Sequence, residues 1–238
     1  MLVSVVIPVL NEASHIGLTL AAARRDYGPD EVELIVIDGG SDDETAGRVP
    51  SDVRLLHAPR GRAVQMNRGA AAAHGDVLLF CHGDTQLPPG WREVLLGALS
   101  RPGTAGGTFS IRFMPARGVL YLCNRLPVPA DWRLMYGDQA QFMARYNFVA
   151  VGGYAEIPLM EDVEMMRRLR RRGRLVRLPL RVTTSSRRFI ERGPLRQLWL
   201  DITLVFRYLY LGASPSTLAH DYYITRRDRV GHGRLEGQ

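Results

Sequence analysis

The chain has 238 residues, enough for one large α/β domain or two small ones, and its hydrophobic share of 46% excludes wholesale disorder. Its net charge is +7, and all 31 basic residues are arginine, a side chain suited to bidentate pairing with phosphate or carboxylate and equally a mark of genomic composition. Cys81 and Cys123 stand far apart with no Cys-x-x-Cys spacing, which argues against a disulfide framework or a zinc site and for a reducing, cytoplasmic compartment.

Residues 3–7 are rich in β-branched side chains, the pattern of a strand buried on both faces. The segment has no basic n-region and Pro8 interrupts it, so it reads as a first strand and not as a signal peptide. A helix is expected over about 12–25, with Asn11 as its N-cap. Residues 32–37 form a second buried strand, ending in Asp38-Gly39-Gly40. Ser41 and Glu44 have capping-box spacing, which predicts a helix start. A short strand over 53–57 and an Ala-rich helix over 62–73 follow. A fourth strand over 77–80 then runs into Cys81-His82-Gly83-Asp84-Thr85. Pro88-Pro89-Gly90 opens a helix that runs through residue 99.

Strands alternating with helices over short connections imply a mostly parallel sheet covered by helices, with ligands at the carboxyl ends of the strands. Asp38 and Asp84 both stand at such ends, so one rim is expected to carry them both.

The second half is less regular. Residues 108–113 and 140–144 read as strands, and 161–172 as a strongly basic helix. Residues 195–211 read as a long helix rich in Leu, Trp, Phe and Tyr, interrupted by Asp201 and Arg207 and so no membrane span. The Gly/Arg-rich tail, 231–238, is expected to be disordered. With no linker or repeat, one domain is expected over 1–238. It would have a nucleotide-binding half over about 1–100 and an acceptor-binding half over about 101–238.

Four stretches, SVVIPVLNEA, IVIDGGSDDET, GRAVQMNRGAAAAHGDVLLFCHGDT and PLMEDVEMMRRLRRRG, occur in the order seen in family 2 glycosyltransferases of the GT-A fold, which the chain resembles over roughly residues 3–190. YGDQ at 136–139, PLMEDVE and SSRR further resemble a subgroup tied to arsenosugar biosynthesis, or associated with radical-SAM and selenodomain proteins. The resemblance implies an α/β GT-A fold with a C-terminal helical extension. It implies a nucleotide-diphosphate sugar donor, a UDP-sugar as first choice, an inverting single displacement, and Mg2+ or Mn2+. It places Pro8, Val9, Asn11 and Glu12 along the nucleotide site and Asp38 against the base. Asp84 falls where the last acid of an Asp-x-Asp motif meets metal and diphosphate, and Asp162 falls where the catalytic base is expected. The chain departs from the pattern at His82, which replaces the first acid of Asp-x-Asp. It also lacks the Gln-x-x-Arg-Trp motif of processive members, Ser185-Ser186-Arg187-Arg188-Phe189 standing near its place, which favours a single-addition enzyme.

Each assignment has a plainer reading beside it. A departing diphosphate develops negative charge that a hard cation neutralises, and Asp84 can supply one oxygen ligand, or it can merely cap the turn before Pro88. Asp38 suits a nucleotide contact or a turn before two glycines. Asp162 can take the acceptor's proton, or simply stabilise a first helical turn by ~0.3–1 kcal/mol. His82 meets ribose or metal, or spaces the turn. Asp138 contacts sugar or acceptor, and Glu161 supports Asp162. Arg62 meets a phosphate or solvent, and Asn67 is equally a structural hydrogen-bonding residue. Arg187 and Arg188 are candidates to hold the diphosphate. The run from Arg167 to Arg174 is a solvated face, or meets an anionic acceptor or membrane surface. Trp199, Leu200, Phe206, Tyr208 and Tyr210 belong to core, to a homodimer interface or to a peripheral membrane contact at the inner face. The acceptor is a small molecule or a lipid. Two other classes stay open. A sugar nucleotidyltransferase would want a Gly-rich basic loop after the first strand, where PVLNEAS stands. A non-enzymatic basic anion- or membrane-binding module is permitted by the charge. No nucleic-acid partner is expected, since the arginines are not interleaved with aromatics in a binding motif.

Overall fold

The computed structural model describes residues 1–230, and the tail expected to be disordered lies outside the described residues. In chain order the elements are β1 (Val3–Val9), α1 (Ile16–Arg24), β2 (Val32–Asp38), β3 (Arg54–His57), α2 (Arg62–Ala72), β4 (Val77–Phe80), β5 (Thr85–Gln86), α3 (Trp91–Leu99), β6 (Thr104–Met114), α4 (Val119–Cys123), β7 (Gln141–Ala144), α5 (Arg145–Ala150), α6 (Glu161–Leu169), β8 (Arg174–Ser185), α7 (Arg187–Arg192), α8 (Pro194–Tyr210) and α9 (Pro215–Val230). Eight strands form one sheet in the order β3-β2-β1-β4-β7-β6-β8-β5. The β3-β2-β1-β4 block is parallel, β7 runs antiparallel between β4 and β6, and β5 pairs antiparallel with β8.

All seven residues of β1 are buried, because helices cover both sheet faces. Val3, Val5 and Ile7 pack with Ile16 and Leu20 of α1 and Trp91 and Leu95 of α3. Val6, with Ile35 and Ile37 of β2, packs on the other face against Met66 and Ala70 of α2 and Met165 and Met166 of α6. Alternation along the strand therefore supplies two cores. Each such side chain contributes about 1.5–3 kcal/mol when fully buried. At Gly69 an added Cβ would sit 2.4 Å from Val6 Cγ1 and 2.5 Å from Ile37 Cδ1, so only glycine lets α2 rest this close on the sheet.

Two expected helix starts are corrected. Asn11 does not cap a helix beginning at Glu12. It has φ +56°, and α1 begins at Ile16. The Asn11 N–H donates to Ser41 Oγ and its Oδ1 accepts from Asp42 N–H, both at 3.0 Å. No capping-box helix follows Ser41 either. Its hydroxyl donates to Asp38 Oδ1 at 2.5 Å, and only a 3₁₀ turn, Ala46–Arg48, forms. In both loops the side chains that would cap a helix are drawn into cross-links between the β1 and β2 ends.

β8 has no counterpart among the expected elements. Its arginines and internal Pro179 disguise it. Pro179 falls in the irregularity where the ladder passes from Phe109↔Leu178 to Ser110↔Arg181, which is where a strand tolerates proline. Among the described residues no helix is long and apolar enough to cross a membrane.

Candidate active site

The parallel strands end together. Val9 pairs with Asp38, and Val6 with Phe80, so the residues following β1, β2 and β4 share one rim. Pro8 and Val9 are buried there, and the Val9 carbonyl accepts from Gly39 N–H and Gln65 Nε2. The Asp38 carboxylate accepts from Ser41 N–H and Oγ, with the exposed His57 ring 3.6 Å away. The Glu12 N–H donates to Thr45 Oγ1 at 2.8 Å. Arg187, from the far end of the sequence, pairs with Glu12 and lies 3.5 Å from Asp84 Oδ2.

The start of α6 closes the other side. Met160 takes φ +71°, which turns the chain sharply and buries Glu161. Glu161 Oε1 pairs with Arg62 Nε at 2.8 Å, and this carboxylate holds the guanidinium well above its ordinary pKa. Asp162 Oδ2 accepts the Gly137 N–H at 2.7 Å, and Oδ1 caps Val163 N–H of its own helix. Gly137 is wedged in. A Cβ there would lie 3.0 Å from His82 Nε2 and 3.3 Å from Asp162 Oδ2. His82 is thus a neighbour of Asp162, and burial together with the Arg62 charge lowers its pKa to about 4, leaving the ring neutral at pH 7.

Several acids here have one oxygen without a donor. Among the described residues, Asp138 Oδ1, Glu161 Oε2 and Glu12 Oε2 are buried with no hydrogen-bond partner, although His15 Nδ1 lies 3.4 Å from the last. Burial raises the Asp138 carboxyl to about 6, against the opposing pull of Arg188. Burial raises Glu12 as well, in spite of its bond to Arg187. Buried acceptors left without donors are exceptions that call for an explanation, such as a bound group.

The profile of the family described as glycosyl transferase family 2 matches residues 4–199. The chain belongs to glycosyl transferase family 2. A stretch of 108 residues is 35% identical to glucosyl-3-phosphoglycerate synthase of Mycolicibacterium smegmatis, covering 41% of this chain and 36% of that one. Another of 117 residues is 32% identical to an uncharacterised protein of Mycobacterium tuberculosis, covering 47% and 36%. The chain thus spans only about a third of the length of these curated relatives. Among solved structures it resembles S. aureus TarS in complex with UDP-GlcNAc, with a TM-score of 0.61 and 15% identity over 78% of this chain and 58% of that one. It also resembles the mannosyltransferase PcManGT from Pyrobaculum calidifontis in complex with GDP-Man and Mn2+, with a TM-score of 0.61 and 19% identity over 98% and 76%. At these identities the likeness is one of fold, and the fold is the expected GT-A type.

In this family 2 member Asp84, 3.5 Å from Arg187, is the carboxylate that would be offered to a divalent cation. Among the described residues no three His, Cys, Asp or Glu side chains are grouped to hold a metal by themselves. A single carboxylate plus substrate phosphates is a normal Mg2+ donor set, so the residues fit a cation that arrives with a diphosphate.

Most of the singled-out residues meet at this rim: Glu12, Asp38, Arg62, His82, Asp84, Asp138, Glu161 and Asp162. Asn11 is exposed above it. Asn67 is elsewhere and structural, exchanging two 2.9 Å bonds with the Tyr154 backbone. Two contributors escaped the sequence reading. Asp201 of α8 lies close enough to disfavour ionisation of Asp138, and Tyr222 of α9 is hydrogen-bonded by Arg188. The available signal for Asp201 was its position as a lone acid in an apolar helix.

Proposed function

We propose that this chain transfers a sugar from a nucleotide-diphosphate donor to a small-molecule or lipid acceptor by single displacement, with inversion. The observation that carries the reading is the set of buried carboxylate oxygens without donors around the rim that also holds Asp84 and Arg187. The likeness in fold to proteins bound to UDP-GlcNAc and to GDP-Man with Mn2+ supports it. Residues 1–100 would then bind the nucleotide and residues 101–238 the acceptor. The two cysteines without partners fit a cytoplasmic enzyme.

In this reading Pro8, Val9, Asn11 and Glu12 bound the nucleotide and Asp38 accepts from its base. Asp84 would hold Mg2+ or Mn2+ together with the diphosphate. When bound, that cation would neutralise charge on the leaving group. Arg187, already at Asp84, offers its guanidinium to the same oxygens. The acceptor oxygen forms a bond to the anomeric carbon as the bond to the diphosphate breaks. The electron pair leaves with the diphosphate and the acceptor's proton passes to Asp162. Gly137 N–H orients Asp162, and the Arg62–Glu161 pair fixes the helix start that carries it. Asp138 and neutral His82 line the sugar or acceptor side. A UDP-sugar is the donor to try first. The subgroup resemblance names a small arsenic-containing ribose derivative as the acceptor to try.

Thermal shifts with UDP, GDP, dTDP, ADP and CDP, each with and without Mn2+, test this on the wild type and Asp84→Ala. One nucleotide should stabilise the protein in a Mn2+-dependent way, and the variant should lose that dependence. No shift with any nucleotide overturns the reading.

A further inference from the structure

Five large apolar side chains of α8 lie on its outward face, while Leu200, Leu204, Val205, Tyr208 and Leu209 turn inward. On the inward face Gln197 and Leu204 are buried, and Tyr208 donates to Glu164 of α6. The opposite face carries Leu195, Trp199, Ile202, Phe206 and Tyr210, spaced by four, three, four and four residues, and each is more than half exposed. Beside this stripe α4 adds Tyr121 and Leu122, also more than half exposed. So long an exposed apolar strip marks an interaction surface.

Its far end runs into a basic groove of about 290 Å3, lined by Tyr210, Trp132 and the arginines 133, 167, 170 and 171. Arg133 and Arg170 stack on the Trp132 ring at 5.0 and 5.3 Å. An adjoining groove of about 480 Å3 adds Arg174. Arg133 is paired with Asp131 and Arg167 with Glu164, but Arg170, Arg171 and Arg174 have no acidic partner among the described residues. At the near end, exposed Arg196 flanks the stripe, again with no acidic partner among the described residues. A second copy laid on the stripe by a two-fold axis would set arginine against arginine. An anionic surface meets no such opposition.

We propose that α8, with the groove at its end, docks this protein on an anionic phospholipid bilayer. The helix lies in the interfacial plane, Leu195, Trp199, Ile202 and Phe206 enter the acyl boundary, and the arginines take lipid phosphates. Asp201, on the side of α8 that faces Asp138, would leave the rim turned away from the lipid.

The test is flotation of the full chain with vesicles of phosphatidylcholine alone and with phosphatidylglycerol added, alongside sedimentation without lipid. Wild type should prefer the anionic vesicles at least tenfold, less so at high salt. Trp199→Glu with Phe206→Glu should abolish binding. Arg170→Glu with Arg171→Glu should abolish the preference. All four side chains are exposed, and an unchanged melting temperature verifies each fold. No binding by wild type overturns the proposal, as does binding that either variant leaves intact. A dimer dispersed by the Trp199 variant, without vesicle binding, also overturns it and assigns the stripe to a second copy. None of these readouts depends on transferase activity.

Discussion

The two ends of α6 are chemically opposite. Its first turn carries Glu161 and Asp162, tied to Arg62 and Gly137 inside the rim. Its last turn carries Arg167 and Arg168, and Arg167, with Arg170 and Arg171 beyond, lines a groove. The polarity agrees with the helix dipole, which favours acids at the start and cations at the end. The net charge of +7 therefore says little about the site. Positive charge is displaced to one end of a helix whose other end gathers carboxylates.

The acidic end should be the sensitive one. Asp162→Asn should lower kcat by roughly 10²–10⁴ while nucleotide-induced stabilisation persists, because the amide would lack the proposed base, although it can accept only one of the two N–H groups, of Gly137 and Val163, that the carboxylate holds. Turnover within tenfold of wild type would place the proton acceptor elsewhere. Arg62→Met should destabilise by about 1–3 kcal/mol in urea denaturation, since Glu161 is left buried without its cation. Adding Glu161→Gln should restore most of that loss, and failure to do so would mean the pair is not the cause.

Asp138 gives a pH signature. Its folded pKa, about 6, lies above the ordinary 3.8, so the folded state holds the proton more tightly. Stability from this group is full below about pH 4 and is lost as pH rises through 6. Asp138→Asn should therefore melt higher than wild type at pH 7.5, with the difference shrinking toward pH 4, while turnover falls. An equal offset at both pH values would sink this account. At the basic end Arg170→Ala should change stability by no more than about 0.5 kcal/mol and leave the nucleotide shift as it was.

The apolar runs made β1, β2 and β4 legible, and with them the one rim that carries both Asp38 and Asp84. Local patterns reached no further where side chains served distant partners. Asn11 and Ser41 have the chemistry of helix caps, but each bonds across to the other's loop. The Glu12–Arg187 contact joins residues 175 apart, and no local rule anticipates it. Leu200 and Tyr208 turn inward as core side chains do, while Trp199, Phe206 and Tyr210 face out. Core was the wrong reading for those three, because apolar character alone does not say which face a helix buries.

Arg187, held between Glu12 and Asp84, has a consequence for ionic strength. The rim already carries its own counter-ion. In the proposed function a diphosphate sugar bearing two negative charges, arriving with a divalent cation, would be a neutral guest, and its entry would leave the local charge balance nearly unchanged. Donor affinity should then be almost flat across salt concentrations, in a protein whose outer surface is strongly cationic.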